Sequence, residues 1–468
     1  MPEIVPDIDV EVGTSPELMK LLIPVQRAGS AEEVAATVFF LASKVPPASA
    51  GTSSTSTAAG PQRSPAPSSP AHWPRREKSM TSKHIIAGLT DEHLELRDVV
   101  RQFVNDRVVP TASEREARDE YPDDLIPELA KLGMFGITVG EEYGGSDVDY
   151  VSYGLIFEEL ARGWMGLASL VYTTSSGGYL IGAFGTDEQK QRFLPDMVAG
   201  KRMSGIALTE PSTGSDLKRI KLTARRDGDN YVLNGTKVFI THARHANPLV
   251  TLVKTDPTIE PAHRGGISLM LVEQGTPGLS FGTDFKKLGH RGLELCEVIF
   301  DNAVVPASNL LGGEEGKGFY QMMDALDRGR IYMAAASTGM ARAALEHAIA
   351  YSKQRETFGK PIAEHQAIQM KLADMATKVE ASRLLYINAA LNTEANGRAS
   401  AESGMAKVFA AESGIEVAYD ALRIHGGYGY VNEFPLERYL RDSLLMPIGE
   451  GTNEMLRMIV AKELLNGS

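Results

Sequence analysis

The fold is decided by residues 223–253, whose sequence is TARRDGDNYVLNGTKVFITHARHANPLVTLV. The dipeptides Asp227-Gly228 and Asn234-Gly235 are typical of hairpin turns, because two-residue turns need positive φ at their central positions. Short runs rich in β-branched residues lie between and after these dipeptides. Strands are predicted at 238–241, 249–253 and 267–272. The middle of the chain is therefore predicted to be a β domain.

Helical patterns flank this region on both sides. Thr90 is a good N-cap, and apolar residues from Leu96 to Val104 share one helical face. Residues 125–132, followed by Gly133, indicate a further helix. Long helical patterns return from about residue 316. A doubly wound nucleotide fold would alternate strands and helices instead, so the predicted class is α+β, mainly α.

The chain is predicted to have five parts. Residues 46–79 are rich in Pro, Ser, Thr, Ala and Gly, and such a segment cannot bury enough apolar surface to offset its ordering entropy. The predicted parts are 1–45, an isolated helical segment; 46–79, a disordered linker; 80–205, an N-terminal helical domain; 206–315, a β domain; and 316–468, a C-terminal helical bundle domain.

The isolated N-terminal segment has two interpretations. Residues 22–43 resemble the last helical segment of a short-chain dehydrogenase/reductase, but no glycine-rich loop or Tyr-x-x-x-Lys pair accompanies them. The alternative is a chance amphipathic helix over residues 31–42. In either case Met80 is a plausible start of the working protein.

Composition excludes several classes of function. The 468-residue chain has a formal net charge of -12, whereas a nucleic-acid-binding protein needs a basic footprint. Its one cysteine, Cys296, allows no internal disulfide. The sequence contains no apolar run long enough for membrane insertion and no N-terminal signal or transit pattern. We therefore expect a cytoplasmic protein.

Seven separated motifs resemble the acyl-CoA dehydrogenase family in their order and spacing, over roughly residues 85–466. Each motif is weak alone, whereas the ordered set is specific. They are 207–216 (ALTEPSTGSD), 234–241 (NGTKVFIT), 355–362 (RETFGKPI), 364–366 (EHQ), 424–430 (IHGGYGY), 437–442 (ERYLRD) and 450–454 (EGTNE). The resemblance implies a helical N-terminal domain, a β-barrel-like or sandwich middle domain and a C-terminal four-helix bundle.

The resemblance also implies a reaction, the α,β-dehydrogenation of an acyl-CoA thioester with FAD as cofactor. A carboxylate must take the weakly acidic α proton, and burial raises its pKa toward the working pH. Glu450 matches this base, and Arg330 matches an arginine close to it. Without the resemblance, Glu450 would be a surface carboxylate near a helix N-terminus. Some relatives carry the base at the position that Gly329 occupies here, and glycine cannot act as a base. Asp327 is nearby but is expected to face elsewhere on the helix.

The remaining candidate site residues match FAD contacts of the family. Arg423 and Phe239 are departures, since the family has glutamine and often tryptophan there. Some of the matched positions reach the flavin of a neighbouring subunit in the family, which implies a homo-oligomer, a dimer of dimers. The matched residues are Ala207, Leu208, Thr209, Ser215, Phe239, Thr241, Arg355, Thr357, Phe358, Gln366, Arg423, Gly426, Gly427, Thr452 and Glu454. No metal ligands are predicted.

Substrate and electron acceptor are less closely specified. Gly449 stands where many straight-chain enzymes have tyrosine, which suggests room for a bulky or α-branched acyl group. The resemblance implies an electron-transferring flavoprotein as electron acceptor.

Alternative functions are an acyl-CoA oxidase, which passes electrons to oxygen, and a non-catalytic subunit that completes a partner's flavin site. Flavin monooxygenases of similar fold generally lack a residue like Glu450. DNA-associated relatives carry a basic C-terminal extension, which we do not expect in this acidic chain.

Overall fold

A computed structural model describes residues 89–466, and the predicted segments 1–45 and 46–79 lie outside that range. In the first group of helices, the one at Tyr150–Gly163 has almost every residue buried. Thr90 caps α1 as predicted, by accepting a hydrogen bond from His93 N. The helices are α1 Asp91–Phe103, α2 Val109–Ala117, α3 Ile126–Lys131, α4 Tyr150–Gly163, α5 Met165–Phe184 and α6 Asp187–Val198. A π-helical turn, Val104–Val108, joins α1 to α2.

The middle region is one curled seven-stranded sheet. Its order is β1-β4-β2-β3-β7-β6, with β5 on the free side of β4. The β1–β4 and β2–β4 pairs are parallel, and the others are antiparallel. The strands are β1 Met203–Ala207, β2 Thr223–Asp227, β3 Asn230–Thr241, β4 Ala246–Lys254, β5 Ile267–Val272, β6 Leu279–Phe281 and β7 Leu295–Pro306. The three predicted strands are confirmed within β3, β4 and β5.

One of the two predicted turns is wrong. Gly228, with φ of 59°, lies in the tight turn between β2 and β3, as expected. Asn234-Gly235 instead lies inside β3, where the register with β7 shifts between Leu233 and Gly235. A Cβ on Gly235 would lie 2.9 Å from Leu222 Cα. Glycine therefore serves a bulge with close backbone approach, because β3 pairs with β7 on both sides of it.

The C-terminal region is again helical. Three long helices, α7, α8 and α9, pack on one another, and α11 packs on α9. They are α7 Gly318–Gln354, α8 Gln366–Asn396, α9 Ser400–His425, α10 Leu436–Ser443 and α11 Asn453–Asn466, with a short hairpin of β8 Glu356–Thr357 and β9 Lys360–Pro361 between α7 and α8. The class is therefore α+β, mainly α, as predicted.

Helices from the two ends of the chain share one core, because α4 packs against both α7 and α8. Buried ion pairs cross this junction. Glu158 of α4 accepts hydrogen bonds from Arg383 at 2.6 and 3.1 Å, and Glu159 accepts one from Arg342 at 2.7 Å. Breaking a buried pair leaves an uncompensated charge, so these contacts hold α4 against both α7 and α8. None of the helices in residues 89–466 is long and apolar enough to cross a membrane.

Candidate active site

Glu450 lies in a tight turn between α10 and α11. The turn is closed by hydrogen bonds from Gly449 N to Leu445 O (3.1 Å) and from Asn453 N to Pro447 O (2.9 Å). Glu450 has φ of 55°, and Gly451 follows with φ of 86°. A non-glycine residue in this left-handed region costs free energy and must be held by its surroundings. The turn thereby directs the carboxylate inward.

The Glu450 carboxylate is buried and incompletely paired. The residue as a whole is partly exposed, but its Oε2 is buried and has no hydrogen-bond partner among residues 89–466. Burial raises the pKa of Glu450 above its usual value. The Tyr172 hydroxyl and the charges of Arg330 and Lys407 oppose that rise. The Glu450 carboxylate is therefore less readily ionised than an exposed one, and its Oε2 is free to accept a hydrogen bond.

Gly329 makes the close approach of these groups possible. A Cβ at position 329 would lie 2.4 Å from the Tyr172 hydroxyl and 2.8 Å from Glu450 Oε2. Any side chain there would collide with both. The glycine of α7 thus brings Tyr172, on α5, beside the carboxylate. Sequence patterns did not indicate Tyr172, because its contact with Glu450 spans most of the chain.

Arg330 lies on the same turn of α7 and is buried. It forms an ion pair with Asp327, whose Oδ2 accepts hydrogen bonds from Arg398 (2.7 Å) and Ser400 (2.8 Å). Residues three apart on a helix are neighbours, which explains the pair with Arg330, and the expectation that Asp327 faces away from the base position stays a prediction. Asp327 positions the guanidinium that faces Glu450.

Lys407 of α9 was also missed by sequence analysis. Its ammonium donates hydrogen bonds of 2.9 Å to Gly451 O and to Asn453 Oδ1, while burial lowers its pKa to about 8. It therefore ties α9 to the turn that carries Glu450, and its charge lowers the pKa of Glu450.

Aromatic side chains form one wall beside Glu450. Tyr172 and Tyr332 stack with ring centroids 3.9 Å apart, and Phe157 meets both rings edge-on. The Tyr332 hydroxyl lies 3.2 Å from Ser169 Oγ. These rings are buried, so the wall excludes water from the carboxylate.

A second group of predicted residues comes together at the sheet. Thr209, just beyond β1, accepts a hydrogen bond of 2.8 Å from Val238 N of β3. Ala207 and Leu208 precede it, and Thr241 ends β3 opposite Leu295. Ser215 is exposed in the following loop and contacts none of these strands through a hydrogen bond in the described chain.

Phe239 is the most unusual residue of this second group. It has φ of 58°, lies where the β3–β7 register shifts, and is 57% exposed. Its ring centroid lies 5.0 Å from that of Phe285. A strained backbone that presents an aromatic ring to solvent is a feature of ligand sites.

The third group lies at the surface of the C-terminal helices. Phe358, with φ of 53°, is 97% exposed in the β8–β9 turn. Arg355 and Gln366 are exposed nearby, and the Thr357 hydroxyl oxygen lies 3.1 Å from His365 Nε2. No hydrogen bond or ring contact within residues 89–466 joins this hairpin to Glu450 or Phe239.

The last predicted residues lie at two helix ends. Arg423 is mostly exposed and pairs with Asp420 at 3.8 Å. Gly426 and Gly427 end α9, and a Cβ on either would meet open space. Thr452 Oγ1 accepts a hydrogen bond from Met455 N (3.3 Å) at the start of α11, where Glu454 is exposed.

Comparisons with known proteins agree over the whole described region. Three sequence models match: "Acyl-CoA dehydrogenase, N-terminal domain" at residues 90–201, "middle domain" at 205–303 and "C-terminal domain" at 316–465. An acyl-CoA dehydrogenase of Bacillus subtilis is 44% identical over 382 residues, covering 81% of this chain and 100% of the relative.

Two solved structures support the same assignment. Butyryl-CoA dehydrogenase from Megasphaera elsdenii is 38% identical, with a TM-score of 0.78 over 81% of this chain and all of that one. A glutaryl-CoA dehydrogenase from Mycobacterium smegmatis in complex with FADH2 is 31% identical, with a TM-score of 0.76 over 81% of this chain and 96% of that one. The chain therefore belongs to the acyl-CoA dehydrogenase family and is an FAD-dependent oxidoreductase.

Proposed function

We propose that the protein converts an acyl-CoA thioester to a trans-2-enoyl-CoA, with Glu450 as the base that removes the α proton. One observation carries this proposal, the buried Glu450 carboxylate whose Oε2 has no hydrogen-bond partner in the described chain. An unpaired buried acceptor is costly and calls for a functional reason. A proton acceptor needs a free lone pair in a site from which water is excluded.

The neighbours of Glu450 tune its basicity. Burial favours the neutral acid, while Arg330, Lys407 and the Tyr172 hydroxyl favour the carboxylate. Because burial and these neighbours act in opposite directions, Glu450 stays ionisable in a site from which water is excluded. Its raised pKa makes it a stronger base than an exposed glutamate. The resemblance adds that the Glu450 backbone N–H donates to the thioester carbonyl, where negative charge develops.

The residues of the second group fit a flavin. FAD, when bound, supplies the acceptor for the β hydride. We propose that Ala207, Leu208 and Thr209 contact its ring edge and that Thr241 reaches the reactive nitrogen. The exposed ring of Phe239 on a strained backbone supports this proposal, because a covering ligand would bury that apolar surface. Ser215 would contact the flavin phosphate or the pantetheine of CoA.

We propose that the third group completes the flavin site of a second copy of the chain. Arg355 would pair with the pyrophosphate, and Gly426 and Gly427 would allow close backbone approach. Thr357, Phe358, Gln366 and Arg423 belong to the same surface, and Thr452 and Glu454 are further contacts. The 97% exposure of Phe358 supports an interface, since a fully exposed phenylalanine is costly to leave in water. The assembly would be a dimer of dimers.

The acyl group is proposed to be bulky or α-branched. A Cβ at Gly449 would lie 3.3 Å from the terminal methyl of Met333. Methionine is flexible and fills irregular gaps, so the space beside position 449 is adjustable.

An electron-transferring flavoprotein is the proposed acceptor, and oxygen is the alternative. The retained base and its buried neighbours favour a catalytic chain over a subunit that only completes a partner's flavin.

The test is an anaerobic titration of the FAD-loaded protein with a panel of acyl-CoAs, with the flavin absorbance recorded. We expect bleaching by bulky or α-branched acyl-CoAs. Strict preference for straight chains would contradict the acyl-group proposal alone. Absence of bleaching by every acyl-CoA would contradict dehydrogenation itself, and oxygen uptake during turnover in air would identify an oxidase.

A further inference from the structure

We propose that His242, His245 and Glu294, the His–His–Glu cluster, form a binding site for one zinc ion. One ligand atom from each of the three lies within 4.8 Å of the others. Two imidazoles and a carboxylate are a donor set that zinc accepts, with a fourth position left for water. The proposal rests on this geometry and does not depend on the reaction at Glu450.

The fold brings these three residues together through a turn and a strand pair. His242 directly follows β3, and the next residues make a helical turn in which His245 N donates to His242 O at 3.2 Å. Residues three apart on such a turn face the same side. Glu294 directly precedes β7, whose Leu295 is paired with Thr241. The end of one strand therefore meets the beginning of the next at the cluster.

The distances are close to those that a tetrahedral ion requires. Zinc ligands at about 2.0–2.2 Å from the ion lie roughly 3.3–3.5 Å from each other. His245 Nδ1 lies 3.2 Å from both carboxylate oxygens of Glu294. His242 completes the set within the 4.8 Å limit, so a small side-chain rotation would suffice.

Neighbouring groups fix the orientation of the ligands. The Tyr121 hydroxyl lies 3.2 Å from His242 Nδ1, and its ring stacks on His245 with centroids 4.0 Å apart. Arg244 N donates to Glu294 Oε1 at 2.8 Å. Such outer contacts hold metal ligands in place in known sites. The site is also accessible, because the His245 side chain is 43% exposed.

Local charge favours a cation. Glu294 is the nearest carboxylate, and Asp123 adds negative charge near His245. Arg244 opposes them, but its guanidinium is paired with Asp284 at 3.0 Å. A bound zinc ion would link the β3–β4 turn to β7 beside Thr241, and would therefore stiffen one side of the proposed flavin site.

The experiment is equilibrium dialysis of the untagged, FAD-loaded full chain against ZnCl2, with bound zinc measured by mass spectrometry. We expect one zinc per chain for wild type and for the control His263→Asn, which removes a histidine outside the cluster. His245→Ala and Glu294→Gln should each lose this zinc. Tyr121→Phe should weaken binding about 10- to 100-fold.

Folding is checked separately by FAD content and circular dichroism, and His245, being half-exposed, tolerates replacement. Unchanged zinc binding in His245→Ala and Glu294→Gln would overturn the proposal. Equal loss in His263→Asn, or no zinc above a buffer blank in wild type, would overturn it as well.

Discussion

The surroundings of Glu450 and the β8–β9 hairpin differ in how complete they are within one chain. Around Glu450, groups from α5, α7 and α9 converge on one buried carboxylate. At the hairpin, Phe358 is 97% exposed and Arg355 also faces solvent. The first region has the burial and charge that proton transfer needs. The second has side chains suited to binding but nothing in the described chain to bind.

This difference teaches which part of the site one chain can supply. A base needs desolvation and fixed neighbours, and only a packed core provides both. Side chains that contact a cofactor need an open surface, and a second copy of the chain can cover that surface. We infer that the chemistry is built into the subunit, whereas cofactor retention depends on assembly.

The largest expected effect is on the base. Glu450→Gln keeps the size of the side chain and removes its basicity, so the rate of flavin reduction by acyl-CoA should fall about 10²–10⁴-fold. Stopped-flow absorbance measures this rate. FAD content should stay at the wild-type level. A rate within a few-fold of wild type would show that another group removes the proton.

Gly329→Ala tests the close approach at the core. The added Cβ would lie 2.4 Å from the Tyr172 hydroxyl and must displace it or Glu450. A displacement of about 1 Å can cost about 10²-fold in rate, although alanine favours the helix. The control is Gly414→Ala, where the nearest atom is 3.5 Å away. Equal rates for both variants would contradict this packing.

The double variant Arg355→Gln, Phe358→Ala addresses the exposed region. Loss of one charge-assisted contact and one apolar contact should weaken FAD retention about 10-fold or more, as measured by FAD release on dilution. Leu465→Ala, at a position that is 86% exposed, is the matched control. Unchanged FAD retention in the double variant would mean that the hairpin is not a cofactor contact.

Tyr172→Phe should give the smallest effect, a shift in pH dependence. If Glu450 is the base, as proposed, flavin reduction needs its ionised form, so the rate should rise as pH increases through the pKa of Glu450. The Tyr172 hydroxyl beside Glu450 lowers that pKa, so its removal should move the profile to higher pH. Tyr332→Phe, whose hydroxyl lies near Ser169, serves as control. A shift to lower pH would contradict the assigned contact.

Much of the fold could be predicted from local patterns. The cap at Thr90 and the strand 267–272 follow from capping and from a short apolar run, which are signals between near neighbours in sequence. Asn234-Gly235 was mistaken for a turn, because the pairing of β3 with β7 outweighs a local preference. A local sequence pattern does not show whether a distant strand pairs with the segment that contains the glycine.

The site was predicted less completely, for the same reason. Glu450 and Arg330 could be found through ordered motifs, but Tyr172 and Lys407 meet them only through packing of distant helices. Glu294 reaches His245 across a strand pair. The spacing of His242 and His245 was visible in the sequence and suggested nothing without the third ligand.

The most direct test of the account mixes Glu450→Gln with the Arg355→Gln, Phe358→Ala double variant by unfolding and refolding them together, at an FAD concentration too low for the double variant alone to retain the cofactor. If each site takes its base from one chain and its hairpin from another, mixed assemblies contain intact sites. About a quarter of wild-type activity should then return for random pairing in symmetric dimers. If one chain completes its own site, every site in the mixture keeps a defect, and activity no higher than that of the separate variants would contradict the account.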